Sequence, residues 1–279
     1  DIVQAIVHYE TSESGTVFHS ANLIDYYRLK VEFILAVAFA VFLISFAGMT
    51  GIRSVFSFVI TILVLWKILV PFYLKGFNPI MTGIVVVAIM TFMILVLVYG
   101  FDKRLVSAFS GSMTGILFAA ILSFVFTKKF HIHGAVMANS ESLLYSGFQN
   151  LNLTQIFMAS VFIGASGSVM DLSVDITSAV NEVVTTARKK GVPVTKREAV
   201  KSGMAVARAA MGTMTTTLLL AYSGTCIALL MVFMAQGTPV YNILNNNVVS
   251  AEIINTIAGS FGLAMTAPVT ALISGTVLR

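Results

Sequence analysis

Runs of about twenty apolar residues recur along this chain, at 31–49, 55–74, 80–99 and 106–126, then from about 156 onward, at 202–222 and at 253–278. At 1.5 Å per residue each is long enough to cross a hydrocarbon core of about 30 Å, and a single segment can do so only as a helix, which satisfies its backbone N–H and C=O groups internally. The fold class that follows is all-α: a polytopic transmembrane helical bundle of about seven to eight spans. Charged residues are 10% of the chain against 57% hydrophobic, and the mean hydropathy is +0.93. A soluble domain carries roughly a quarter charged residues, so that class is excluded. The segment 226–235 is too short to count plainly, and reads either as a seventh span ahead of the last one or as a re-entrant piece.

Connections carry the remaining information. The net charge of +5 comes from Lys and Arg grouped in short segments, so it speaks to topology and gives no basic face for nucleic acid. The richest connection, 185–201, holds Arg188, Lys189, Lys190, Lys196, Arg197 and Lys201 and is expected in the cytoplasm by the positive-inside rule. Counting back places the start of the chain outside, so residues 1–30, with an alternation over 2–7 that suits a strand, read as the end of an extracytoplasmic segment before a transmembrane domain over 31–279. An upstream helix is then expected to deliver that segment. Tight turns are predicted at 50–54 and 76–79. Lys67 is expected to snorkel to an interface, and Pro71 and Pro268 to kink or break their helices. Ser107, Ser110, Gly111, Ser112, Thr114 and Gly115 form a small-residue surface suited to close helix approach.

Two aspartates interrupt the fifth span, in GASGSVMDLSVDITSAVNE over 164–182. Helical spacing puts Gly167, Asp171, Asp175, Ser178 and Glu182 in one stripe. A carboxylate at the centre of a spanning helix costs roughly 2.5 to 3.5 kcal/mol, so it normally faces a partner or a wet cavity and marks an ion or substrate path; a structural ion pair or a cytoplasmic helix end is the alternative. Asp171 lies about 22 Å into the core from residue 156, and Arg208 about 9 Å in from the opposite direction, so antiparallel neighbours would bring them to one depth. Arg208 shares its face with Met204, Gly212 and Thr215. Headgroup snorkelling is the alternative for it.

The stretches SGMAVARAAMGTMTTTLLLAYSG over 202–224 and GASGSVMDLSVDITSAVNEV over 164–183 resemble the paired signature of the YibE/F family of bacterial membrane proteins, along most of the chain. The resemblance implies the bacterial cytoplasmic (inner) membrane, and an N-terminal helix with an extracytoplasmic segment before the remaining spans. The chain departs from that pattern at Ala209, where an acidic residue usually follows the arginine, and at Asp175, where a small residue is usual. A more distant resemblance, in the G-x-x-x-D of Gly167 to Asp171, the basic loop that follows and Thr215-Thr216-Thr217, is to the resistance-nodulation-division exporters, in which an intramembrane aspartate relays protons.

Other chemistries have weaker support. His131 and His133 make at most two ligands, His8 and His19 fall on the same outer side, and a catalytic zinc usually needs three protein ligands. Cys226 is the only cysteine, so neither a disulfide nor a thiolate metal centre is expected, and no metal or other cofactor is assigned. Met204, Met211 and Met214 suit adaptable packing. No G-x-x-x-x-G-K-[ST] loop occurs, so ATP-driven transport by this chain alone is not expected. The reading is an ion-coupled secondary transporter or export-associated protein with Asp171, Asp175, Arg208, Gly167, Ser178, Gly212 and Thr215 along its path. A scaffold subunit without transport and an intramembrane aspartyl hydrolase are the alternatives. Asp171 and Asp175 lie alongside each other on one helix, which argues against the hydrolase, so the chain is not expected to be an enzyme. Expected partners are membrane lipids, a small substrate or ion, and a second copy of the chain.

Overall fold

Seven helices among the described residues, which are 3–12, 15–191 and 193–278, are long and apolar enough to cross a membrane in the computed structural model. They are α1 (Leu29–Ala47), α2 (Met49–Leu74), α3 (Pro79–Tyr99), α4 (Lys103–Lys129), α5 (Leu153–Lys189), α6 (Lys196–Ala235) and α7 (Asn247–Val277). The chain divides into two units, Asp1–Phe58 and Val59–Arg279. The all-α bundle expected from the apolar runs is what the chain forms, with one small β element at its start.

In the first unit, β1 (Val3–Ser12) and β2 (Gly15–Tyr26) pair as an antiparallel two-stranded ribbon, whose register slips between Gln4 and Ala5 and between His8 and Tyr9. The alternation over 2–7 falls within β1 except for Ile2, which, like Asp1, lies outside the described residues; so do the side chains of His8 and His19. The predicted turn at 50–54 is displaced. Gly48, at φ +56°, breaks the helix instead, and 50–54 are helical. That conformation is one L side chains avoid, so the glycine rather than the polar Thr50 and Arg53 sets the turn.

In the second unit, α2 runs through Pro71 to Leu74 by widening into a π-helical turn over Leu65–Leu69 just before it. Proline lacks an N–H and its ring crowds the carbonyl four residues back, and the wider turn relieves both. Lys67, in that turn, lies 4.3 Å over the Trp66 ring. Helix starts are set by side-chain caps: Asn78 accepts from Ile80 N and Met81 N, Asn152 from Gln155 N, and Asn246 from Val248 N. Thr195 and Glu198 form a reciprocal capping box at the start of α6, satisfying two otherwise orphan donors. Asp102 caps α4, and the Arg104 guanidinium beside it holds its carboxyl below the usual carboxylate range.

In the structure 226–235 belong to α6, a single helix of 40 residues in which Cys226 to Ala235 form the last turns, so that seven helices among the described residues are candidate spans. No proline interrupts it, and Thr225 donates to the Tyr222 carbonyl at 2.7 Å, so the small polar stretch Ser223 to Thr225 breaks hydropathy without breaking the helix. Pro268 likewise sits inside α7 without ending it.

The core lies where α4, α5 and α7 meet. Small residues line the closest approach of α4 to α7: a Cβ on Gly111 or Gly115 would overlap Thr270 or Thr266, and one on Gly262 would come within 2.8 Å of Ala119 Cβ and of the Gly115 carbonyl. Small residues there let van der Waals contact hold the helices together where lipid offers no hydrophobic drive. Hydroxyls add cross-links, with Ser173 to Thr270 at 3.3 Å, Thr177 to Ser274 at 3.2 Å, and Ser123 donating to the Met158 carbonyl at 3.0 Å. The α6 helix joins through Gly203, which sits against Val180 and Ile176 of α5.

The basic connection between α5 and α6 is expected in the cytoplasm. A single cysteine replacing Lys190 in a Cys226→Ser background should resist an impermeant maleimide in intact cells, whereas one replacing Glu141 should react once the outer membrane is permeabilised. The reverse labelling pattern would invert the topology.

Candidate functional site

Helix α5 has two unlike faces. Ala165, Val169, Leu172, Ile176 and Val180 are buried in the bundle, whereas Gly164, Gly167, Asp171, Asp175, Ser178 and Glu182 are all exposed along the opposite side. The acidic stripe predicted from spacing is therefore one face, and it points away from the core. Added Cβ atoms at Gly167, or at Gly212 on α6, would meet nothing within 4 Å.

Arg208 is also exposed. In antiparallel neighbours a step forward on one helix matches a step back on the other, so Gly203, lying between Ile176 and Val180, puts Arg208 about level with Ser173, two residues from each aspartate. Shared depth does not bring them together. The ion pairs within 4 Å among the described residues join Arg28 to Asp25 and Arg104 to Asp102, and none joins Arg208 to Asp171 or Asp175. The separation is angular: Arg208 lies in the row Arg208, Gly212, Thr215, Leu219, and Thr215 and Leu219 line a groove between α6 and α7. Thr215 satisfies itself by donating to the Met211 carbonyl at 2.7 Å.

The stripe turns towards α3 instead. Tyr99, at the end of that helix, donates to the Val174 carbonyl at 2.8 Å and lies 2.8 Å from Ser178 Oγ. A tyrosine has one proton and a carbonyl can only accept, so Ser178 must donate to Tyr99 Oη. The Arg104 guanidinium stacks over the Tyr99 ring at 5.1 Å. An Arg104, Tyr99, Ser178 chain thus ends one helical turn from Asp175. Tyr99→Phe removes both hydrogen bonds and should lower stability by about 1 kcal/mol, read as a small drop in the thermal midpoint in detergent. An unchanged midpoint would mean that the contacts are not formed.

Tyr99 and Arg104 were not legible as site neighbours, since neither lies near the stripe in sequence. A second polar cluster was also missed. Glu252 of α7 accepts from Asn255 Nδ2 at 3.0 Å and lies 3.3 Å from Thr225 Oγ1, whose one proton goes to the Tyr222 carbonyl at 2.7 Å. Its signal was the spacing Glu252, Thr256, Ser260, one polar row in an apolar helix. The helix begins at Asn247, six residues before the apolar run at 253, so hydropathy alone does not place Glu252 on it. No group of three or more His, Cys, Asp or Glu among the described residues could hold a metal ion.

The family model described as YibE/F-like protein matches residues 35–279. No curated protein and no solved structure matches the chain.

Proposed function

Because the chain belongs to the YibE/F-like family and is a multi-pass integral membrane protein, we propose that it is an ion-coupled secondary transporter, or an export-associated protein, of the bacterial cytoplasmic membrane. One observation carries the reading: Asp171 and Asp175 lie well inside a spanning helix, exposed along a small-residue face and paired with no cation among the described residues. An uncompensated carboxylate at that depth is costly to keep and is characteristic of ion and substrate paths. In this reading Asp171 takes up and releases a proton or binds a cation, and Asp175, one turn nearer the basic connection, passes it to or from the cytoplasm. Arg208, level with both, supplies a charge that a rotation of α6 would bring towards them. A nearby Arg⁺ favours the anion and desolvation the neutral acid, so such a rotation would change the proton affinity of Asp171. Gly167 and Gly212 leave room for it.

The exposure of the stripe favours a second reading, a scaffold subunit whose acidic face is covered by another copy or another protein. An enzymatic role is not proposed, since two carboxylates side by side on one helix do not converge on a water. Flux of the purified protein in liposomes under an imposed pH or sodium gradient separates the two. Gradient-dependent movement supports the transporter, and a folded, reconstituted protein that moves nothing under either gradient supports the scaffold.

A further inference from the structure

The groove between α6 and α7 has room and unused chemistry. Its larger and more open part, about 400 Å³, is lined by Thr215, Thr216, Leu219, Thr256, Ser260 and Phe261 among others, and a smaller part, about 220 Å³, reaches Glu252. Leu219, Thr256 and Ile257 line both parts, so the two are continuous. Volumes of several hundred Å³ with mostly apolar walls and a few placed polar groups are those of small-molecule sites.

Two of those polar groups are unspent. Glu252 accepts a hydrogen bond from the neutral Asn255 amide, and no lysine or arginine pairs with it among the described residues. Ser260 Oγ is buried without a partner. That is unusual for a helical hydroxyl, and Thr215 and Thr216 on the facing wall both donate to their own helix's carbonyls. Glu252 and Ser260 lie eight residues apart on one face, about 12 Å along the axis.

From this arrangement we propose that the α6–α7 groove binds a small amphipathic amine. Its ammonium sits at Glu252, and its hydrocarbon part runs along Leu219, Ile257 and Phe261. A bare metal cation would leave the apolar walls unused and would find too few charged donors. A neutral apolar molecule would leave Glu252 uncompensated. Binding needs no gradient, so failure of ion coupling in the liposome assay and failure of amine binding are separate results.

The test uses the full chain in phosphatidylcholine nanodiscs, with empty discs as the background. The probes are dansylcadaverine, a primary amine joined by a five-carbon chain to a fluorescent sulfonamide, and its N-acetyl derivative, which lacks the charge. Saturable amine binding is expected, with the N-acetyl derivative at least tenfold weaker. Glu252→Gln should weaken the amine at least tenfold and leave the N-acetyl derivative unchanged, while Glu252→Asp keeps much of the affinity. Ile257→Trp, at an exposed position where packing is undisturbed, fills the groove and should expel both probes, and the thermal midpoint checks that each variant is folded. Equal affinity for the two probes, or an unchanged amine affinity in Glu252→Gln, overturns the proposal. Loss of amine binding when phosphatidylethanolamine enters the discs would assign the groove to a lipid headgroup and overturn it as well.

Discussion

Gly115→Leu should leave no folded bundle to purify. A Cβ at this position would overlap Thr266 Oγ1, lie 2.7 Å from the Gly262 carbonyl and reach 3.0 Å from Val169 Cγ1, so three helices would have to move at once. One of those contacts is backbone, which has no rotamer to escape into. Overpacking a fitted interior costs about 1 to 3 kcal/mol for modest insertions, the range expected for Gly115→Ala. Leucine adds three further carbons where even one has no space, and would force α4 off α7 along the whole seam through Gly111 and Gly262. The total stability of a protein is on the order of 5 to 15 kcal/mol, so losing that seam exceeds what the fold can spare. Gly167→Ala is the matched control, because a Cβ there meets nothing within 4 Å. Size-exclusion profiles and thermal midpoints in detergent read both. A Gly115→Leu protein that elutes and melts as wild type would mean that α4 and α7 do not meet at this seam.

Asp171→Asn should abolish gradient-driven flux while leaving the fold intact, because the side chain is exposed and makes no hydrogen bond or ion pair that the change would strand. Asparagine keeps the shape and removes the titrating group. Asp175→Asn should slow flux and shift its pH dependence, as expected of a relay rather than a carrier, and Asp171→Glu should retain part of the activity. Stability separates this account from a structural one: removing an uncompensated charge from the membrane should hold or raise the thermal midpoint, whereas breaking a buried ion pair would lower it by the equivalent of about 3 to 5 kcal/mol. Wild-type flux in Asp171→Asn under pH and sodium gradients alike would refute the relay.

Spans were readable from the chain because length and apolarity alone set them, and the small-residue surface predicted over Ser107 to Gly115 contributes Ser107, Gly111, Ser112 and Gly115 to the buried core. Periodicity also identified which residues of α5 share a face. It could not say which way that face turns, since Asp171 buried against a neighbour and Asp171 outside the bundle have the same spacing. Rise per residue likewise supplies depth but not azimuth, and Arg208 and Asp171 come level while their rows face different ways. Helix ends were the other failure. Hydropathy falls at Ser223 to Thr225 and at Asn247 to Glu252, and both stretches are helical because side-chain hydroxyls and an asparagine cap satisfy the backbone there.

Helices α5 and α6, at 37 and 40 residues, are about 55 and 60 Å long against a hydrocarbon core of about 30 Å. No reasonable tilt hides that excess, so part of each helix extends past the hydrocarbon core; α5 and α6 meet where Gly203 lies against Val180, and α7 braces α6 where Gly275 lies against Val200. In the proposed transport reading the part of α5 beyond the aspartates would act as a lever with its fulcrum near them. From Asp171 to Lys189 is about 27 Å of continuous helix, so a 5° swing at Asp171 carries the tip through about 2 Å. A change of charge within the bilayer would thus be legible at the basic tip, where another protein could feel it without entering the membrane.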